Sequence, residues 1–252
     1  MRYAYRTALC LVLGAGLFLA PATPCQAQLG GVTKVFGAKK KTLKLKHIAP
    51  ELADLPLGEI KFKGTKYSKI GEGRYDAFFR STAVVQGLVD FDQKMTTSAT
   101  GSLKKFAMSK AADEALGDAI KELVGDTPPE EWTTEQQIAV LKIADHQDKV
   151  SRDEKVYFLK TAGALTLGAA ALTKALATTK SLTEEGLALQ KSVGDLPKIK
   201  TVAATDATKH SLENLKTAAR QGPPLAEEMA VLATGFKALG GGEEEEEAKK
   251  KK

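Results

Sequence analysis

The sequence predicts an all-α fold, a bundle of five or six helices behind a basic N-terminal arm able to form a small β-hairpin. Three observations predict it. Apolar residues recur at three- and four-residue steps through most of the chain, which is the period of a helix with one buried face. Glycine and proline clusters punctuate those stretches at short intervals. Aromatic residues make up only 6% of the sequence, and long alternating patterns are scarce, whereas strands favour aromatic and β-branched residues in strict alternation.

The first residues point to export. Arg2 and Arg6 precede an uncharged apolar stretch from Thr7 to Ala20, Pro21 and Pro24 break it, and Cys25-Gln26-Ala27 has a small residue at each end. Basic, apolar, small-x-small is the pattern of a cleavable secretory signal, and cleavage is expected after Ala27. The run is shorter than the roughly 20 residues that span a bilayer. A second reading makes Cys25 the lipidated first residue of a lipoprotein, although Pro24 stands where a small residue is usual. Cys10 and Cys25 are the two cysteines, so a chain starting at Gln28 has no disulfide, thiol nucleophile or cysteine metal ligand. Removing Arg2 and Arg6 takes Lys plus Arg from 37 to 35 against 31 acids, and the net charge from +6 to +4.

The basic arm, 28–72, carries Lys39, Lys40, Lys41, Lys44 and Lys46. These lysines can touch an anionic surface. Without interleaved aromatics to stack on bases, and with export expected, a nucleic-acid partner is not. Thr42 to Ile48 and Glu59 to Lys63 alternate apolar and polar residues and are expected to be short strands.

Gly71-Glu72-Gly73 is turn chemistry, and helical periodicity follows it over 73–240. A first helix carries Tyr75, Phe78, Phe79, Thr82, Val85, Leu88, Val89 and Met95, with a break expected at Thr96 to Gly101. A second runs from Ser102 to Val124, where Gly125-Asp126-Thr127-Pro128-Pro129 stops it. Thr134 with Gln137, and Ser151 with Glu154, have the spacing of capping boxes. They open a short third helix bearing Ile138, Leu141 and Ala144, and a long fourth one reaching Val193 with a kink near Ser181. Gly194-Asp195-Leu196-Pro197 ends that helix, and a fifth is expected to stop before Gln221-Gly222-Pro223-Pro224. The last helix has Leu225, Met229, Leu232, Phe236 and Leu239 at four-three steps, a narrow seam suited to a partner or to self-association. The tail, 241–252, is glutamates and lysines and is expected to be disordered.

No motif specifies a reaction or a cofactor. Among the histidines, His47 lies in the arm. His146 sits between Asp145 and Asp148, but no second histidine stands at the helical spacing a zinc site needs. His210 with Ser211 and Asp206 matches a triad only in composition. Gly71-Glu72-Gly73-Arg74 lacks the endings of a phosphate loop. Asp90 and Asp92 diverge on a helix, and Glu130-Glu131 and Glu184-Glu185 suit helix starts or exposed faces. An enzyme would have to assemble distant residues such as Asp145, His146 and His210. The most suggestive stretch is Thr161 to Thr173, thirteen residues without charge. Its plainer account is the centre of the bundle, surrounded on most sides; its alternative is a segment that inserts into a membrane. The sequence therefore predicts an exported, non-enzymatic helical protein acting through its surfaces, with no catalytic, cofactor or metal site. A membrane-active protein inserting 161–173 is the alternative.

Overall fold

A computed structural model describes residues 39–42, 52, 55, 59, 62 and 66–241. Its elements are β1 (Lys39–Thr42), β2 (Lys66–Lys69), α1 (Gly73–Ala111), α2 (Gly117–Val124), α3 (Thr134–His146), α4 (Arg152–Ala177), α5 (Thr179–Lys191) and α6 (Lys198–Leu239). The fold is the expected all-α bundle with a small N-terminal hairpin. The expected signal at 1–27, including Cys10 and Cys25, lies outside the described residues. So do Lys44, Lys46, His47 and the tail from 242.

Three rods carry the architecture. At roughly 1.5 Å per residue, the 39 residues of α1 and the 42 of α6 extend about 60 Å each. The third rod is α4 followed by α5. Contacts along the rods fix their directions. The Tyr75 hydroxyl donates to the Leu189 carbonyl at 2.8 Å, the Phe106 and Phe158 rings meet edge-on at 5.2 Å, and Lys110 pairs with Glu154 at 2.9 Å. Rising numbers on α1 meet falling numbers on α5 and α4, so these two rods are antiparallel. Leu212 lies over Gly186, Leu176 over Gly222 and Leu159 over Gly240, which makes α6 antiparallel to α4 and α5 as well. The α2–α3 hairpin packs on the side, with α3 against α1 and α6. Trp132 pins it: its indole donates to the Thr127 carbonyl at 2.9 Å while its own carbonyl accepts from Gln137 at 2.8 Å.

Two expected breaks are absent. α1 runs through Thr96–Gly101 because its inward positions stay in register: Asp92, Thr96, Ala99, Leu103 and Ala107 are all buried. The Thr97 hydroxyl, which favours a turn when left to compete, donates to the Gln93 carbonyl within the helix at 2.8 Å. The chain breaks only after Ala111. α6 likewise continues through Pro223 and Pro224. A proline in a helix strands the carbonyl four residues earlier. Here those are Ala219 and Arg220, which are exposed, as are both prolines, so water can take the freed acceptors. Gly222, on the opposite face, lets Leu176 press close: a methyl group there would lie 2.6 Å from its Cδ atoms.

The kink expected in the long fourth helix is present, as a full interruption. Thr178 separates α4 from α5, three residues before the expected kink. The Thr178 and Thr179 hydroxyls each donate at 2.7 Å to a carbonyl three residues back, drawing that carbonyl from its usual backbone partner. The helix resumes at once, with Leu182 N–H donating to Thr178 O at 3.0 Å. Of the two capping boxes, Ser151 and Glu154 form theirs as expected. The other is one residue earlier, with Thr133 as the cap and Gln136 returning to it.

The hairpin is also placed differently. β1 and β2 pair antiparallel with Lys39 opposite Lys69 and Thr42 opposite Lys66. Glu59 is in a turn and Phe62 in no strand. Phe62 is buried, with its ring edge-on to Phe91 at 6.0 Å. A phenylalanine drawn into the core gains more than one alternating on a two-stranded edge, and the second strand begins at Lys66, seven residues after the expected start.

The seam of α6 has a destination inside the chain. Leu225, Met229, Leu232, Phe236 and Leu239 are all buried in the single apolar core. They are therefore closed to a partner, because α1, α3 and α4 of the same chain occupy the groove a second helix would fill.

Candidate functional site: a buried carboxyl under α4

Midway along the bundle, where α1, α4 and α6 meet, the core contains an acid. Asp92 has the position an apolar residue would have, four residues after Leu88 and three after Val89, and its accessible surface is 0%. It faces Gly168 of α4. A methyl group on Gly168 would lie 2.5 Å from Met95 Cε, 2.7 Å from Met229 Cε and 2.8 Å from Asp92 Oδ1. The absence of a side chain at 168 is thus what lets two thioether tips and a carboxyl share one layer.

Neither Asp92 oxygen has a hydrogen-bond partner among the described residues, and the Thr96 hydroxyl one turn on has none either. A buried carboxylate without donors is costly. Burial therefore pushes the Asp92 carboxyl up from 3.8 to about 7. Up to about pH 7 a large share of the group keeps a proton that an exposed aspartate has released by about pH 5. Among the described residues no histidine, cysteine or second carboxylate joins it in a metal-binding group.

Several other polar groups in the bundle have structural tasks. The Asp76 carboxylate accepts Ile70 N–H at 2.8 Å and Gly71 N–H at 3.2 Å. These amides are the ones a phosphate would need at the Gly71 turn, and the chain's own side chain takes them. Glu72 pairs with Lys200 at 2.6 Å, joining the starts of α1 and α6. At the other end, burial raises the Glu154 carboxyl but is outweighed. Hydrogen bonds from the Lys110 ammonium and from Ser151, with the charge of Lys110, hold it below the ordinary range.

The sequence candidates do not converge. His146 is exposed at the end of α3, Asp145 pairs with Lys155 at 2.7 Å, and Asp148 has φ 55° in the loop beyond. His210 lies on α6 near the level of Leu187, since Leu212 covers Gly186. More than thirty residues of helical rod separate that level from Lys155, about 50 Å. His210 and Asp206 are exposed while Ser211 is buried, so the three do not form a relay. Asp90 accepts from Gln86 at 2.8 Å on the surface while Asp92 points inward, as their spacing implies. Glu130, Glu131 and Glu184 are exposed. No group of three or more potential metal ligands occurs among the described residues.

The segment 161–173 is not surrounded. Ala162, Leu165, Gly168, Ala171 and Leu172 are buried, but Gly163, Thr166, Ala170 and Thr173 are exposed along the outer face. The correction follows from the three-rod design: α4 contacts α1 and α6 on one side and leaves the other open. The sequence shows 161–173 as uniformly uncharged and does not show which side is covered.

No protein family, curated protein or solved structure matches this chain.

Proposed function

We propose that this is an exported, non-enzymatic helical protein that works through its outer surfaces as an interaction or structural module. The observation that carries this reading is the use to which four inward polar groups are put. Tyr75, Asp76, Lys110 and Glu154 tie helix ends and rods together, and the side chains with catalytic potential are spread along the rods. The basic, apolar, small-residue pattern of 1–27 supports export to the periplasm or the medium. The test joins two measurements on the protein from its native fraction. An intact mass beginning at Gln28 is expected. Photo-crosslinkers at exposed Ile199 and Val231 are expected to trap a protein or envelope component. A full-length mass in the cytoplasm, or turnover of a substrate at a defined site, overturns the reading. A mass starting at a lipidated Cys25 corrects the anchor and leaves the surface role in place.

One observation favours a membrane-active reading as second. α4 is 26 residues long with a mean hydropathy of 1.3 in its most apolar window, and a third of that window is buried. Inserting it requires pulling Phe158, Leu165 and Leu172 from the core, at about 2 kcal/mol for each large side chain. Release of a trapped dye from vesicles is the outcome that would promote this reading above the first.

A further inference from the structure

The open side of the bundle has an unusual charge. Residues 93–112 of α1 and the chain directly after it contain Lys94, Lys104, Lys105 and Lys110 and no acid. Residues 155–183, covering α4 and the start of α5, contain Lys155, Lys160, Lys174 and Lys180 and no acid. These two stretches run antiparallel against one another, as the Phe106–Phe158 and Lys110–Glu154 contacts establish. α3 packs against α1 and α6. Between α1 and α4 lies an open groove lined by Ser102, Lys105, Phe106, Ser109, Glu154 and Tyr157.

Three of the lysines are engaged within the bundle: Lys104 donates to the Glu130 carbonyl, Lys110 binds Glu154, and Lys155 binds Asp145. Lys94, Lys105, Lys160 and Lys174 are exposed. Lys94 and Lys105 stand three helical turns apart on one face of α1, and Lys160 and Lys174 four turns apart on one face of α4. Val156 and Tyr157 are exposed beside them, at 41% and 37%.

We propose that this α1–α4 face is a docking surface for an anionic lipid bilayer, with the bundle lying intact along the membrane. The inference rests on the reading of the protein as one that works through its surfaces, and it names the partner. The four exposed lysines complement anionic headgroups, Glu154 of the groove being neutralised by Lys110, and the exposed valine and tyrosine suit the headgroup boundary, where apolar and aromatic side chains of surface-lying helices sit. A second copy of the chain fits worse. An antiparallel α4 pair centred on Leu167 sets Lys160 against Lys174, and a parallel pair sets each lysine against itself. A soluble polyanion leaves the apolar residues without a role.

The test is vesicle co-sedimentation of the protein from its native fraction, with phosphatidylcholine alone and mixed with phosphatidylglycerol. Binding is expected to the mixed vesicles only, and to weaken as salt is raised. The variant K94E/K105E/K160E/K174E is compared with K198E/K209E/K216E/R220E, which has the same net charge and alters exposed positions on α6. The first is expected to lose about tenfold or more in partitioning and the second less than about threefold. Equal losses, equal binding to neutral vesicles, or no binding to anionic ones overturns the proposal. If the first variant does not fold, V156W decides: its emission should shift to the blue on mixed vesicles, against the buried Trp132, and an unchanged spectrum overturns the proposal. Failure here leaves the broader reading standing when the crosslinkers at Ile199 and Val231 capture a component. Failure of both removes it.

Discussion

The two halves of α1 bury one aspartate each, and the pair shows how one residue type can hold a fold together or burden it. In the first half, Tyr75, Phe78, Phe79, Val84, Val85, Leu88 and Val89 fill the core with large side chains. Asp76, at its start, accepts two backbone N–H groups that would otherwise lack partners. In the second half the buried residues shrink to Thr96, Ala99, Leu103 and Ala107, and Asp92 lies among them without a donor. The first carboxylate answers a need of the backbone. The second is tolerated because Gly168 makes room for it and because it can remain protonated.

Removing the acidity of Asp92 should have the largest effect. Its folded-state value near 7 lies above the 3.8 of an exposed aspartate. The stability it contributes is therefore complete below about pH 4 and is lost as pH rises through 7. Asp92→Asn should stabilise the protein at pH 8 by on the order of 4 kcal/mol, roughly 10 °C in Tm, and change little at pH 4. Melting curves at the two pH values check this, and an equal gain at both would show that packing, not charge, is responsible.

Asp76→Ala should act in the opposite sense. It leaves the Ile70 and Gly71 amides without their acceptor, which should cost about 3 kcal/mol and lower the urea midpoint. A neutral result would mean that the Gly71 turn holds itself.

Gly168→Val tests whether the middle layer has space to spare. Methyl groups pressed onto Met95, Met229 and Asp92 should destabilise by about 2 kcal/mol. The double variant Gly168→Val, Asp92→Ala should regain part of that loss if the three side chains share one layer.

The smallest effect is expected at the surface end of the same interface. Glu154→Gln keeps the capping geometry but loses the ion pair to Lys110, for about 0.5 kcal/mol. The Glu154 carboxyl is held below its ordinary range, so its contribution is present above the unfolded value and lost as pH falls through the folded one. Wild type and variant should converge in acid, whereas Asp92 and its asparagine variant diverge towards base.

Much of this was legible in the sequence because it is local. Ser151 and Glu154 lie three residues apart, and the box they form depends on nothing further away. Gly194–Pro197 ends the third rod as its residue types demand. The stripe on α6 has the expected spacing but a destination inside the chain, and spacing reveals a face but not what covers it. Asp92 was in view as one of two diverging acids. Its position between Val89 and Thr96 on the apolar stripe is the signal that marks it as buried.

The residues by themselves determined the helical class, the cap at Ser151, the placement of charge and the acid-free runs of α1 and α4. Each follows from interactions within a few residues or from composition alone. Only the tertiary structure decided that α1 passes through Thr96–Gly101, that α6 passes through its two prolines, that one side of α4 stays open and that Asp92 is buried without a donor. Local turn preferences are worth about 1 kcal/mol per residue, and a proline about three, whereas a rod packed along two others buries many side chains at roughly 2 kcal/mol each. Where the two compete, the long-range sum prevails, and it includes residues more than a hundred positions away.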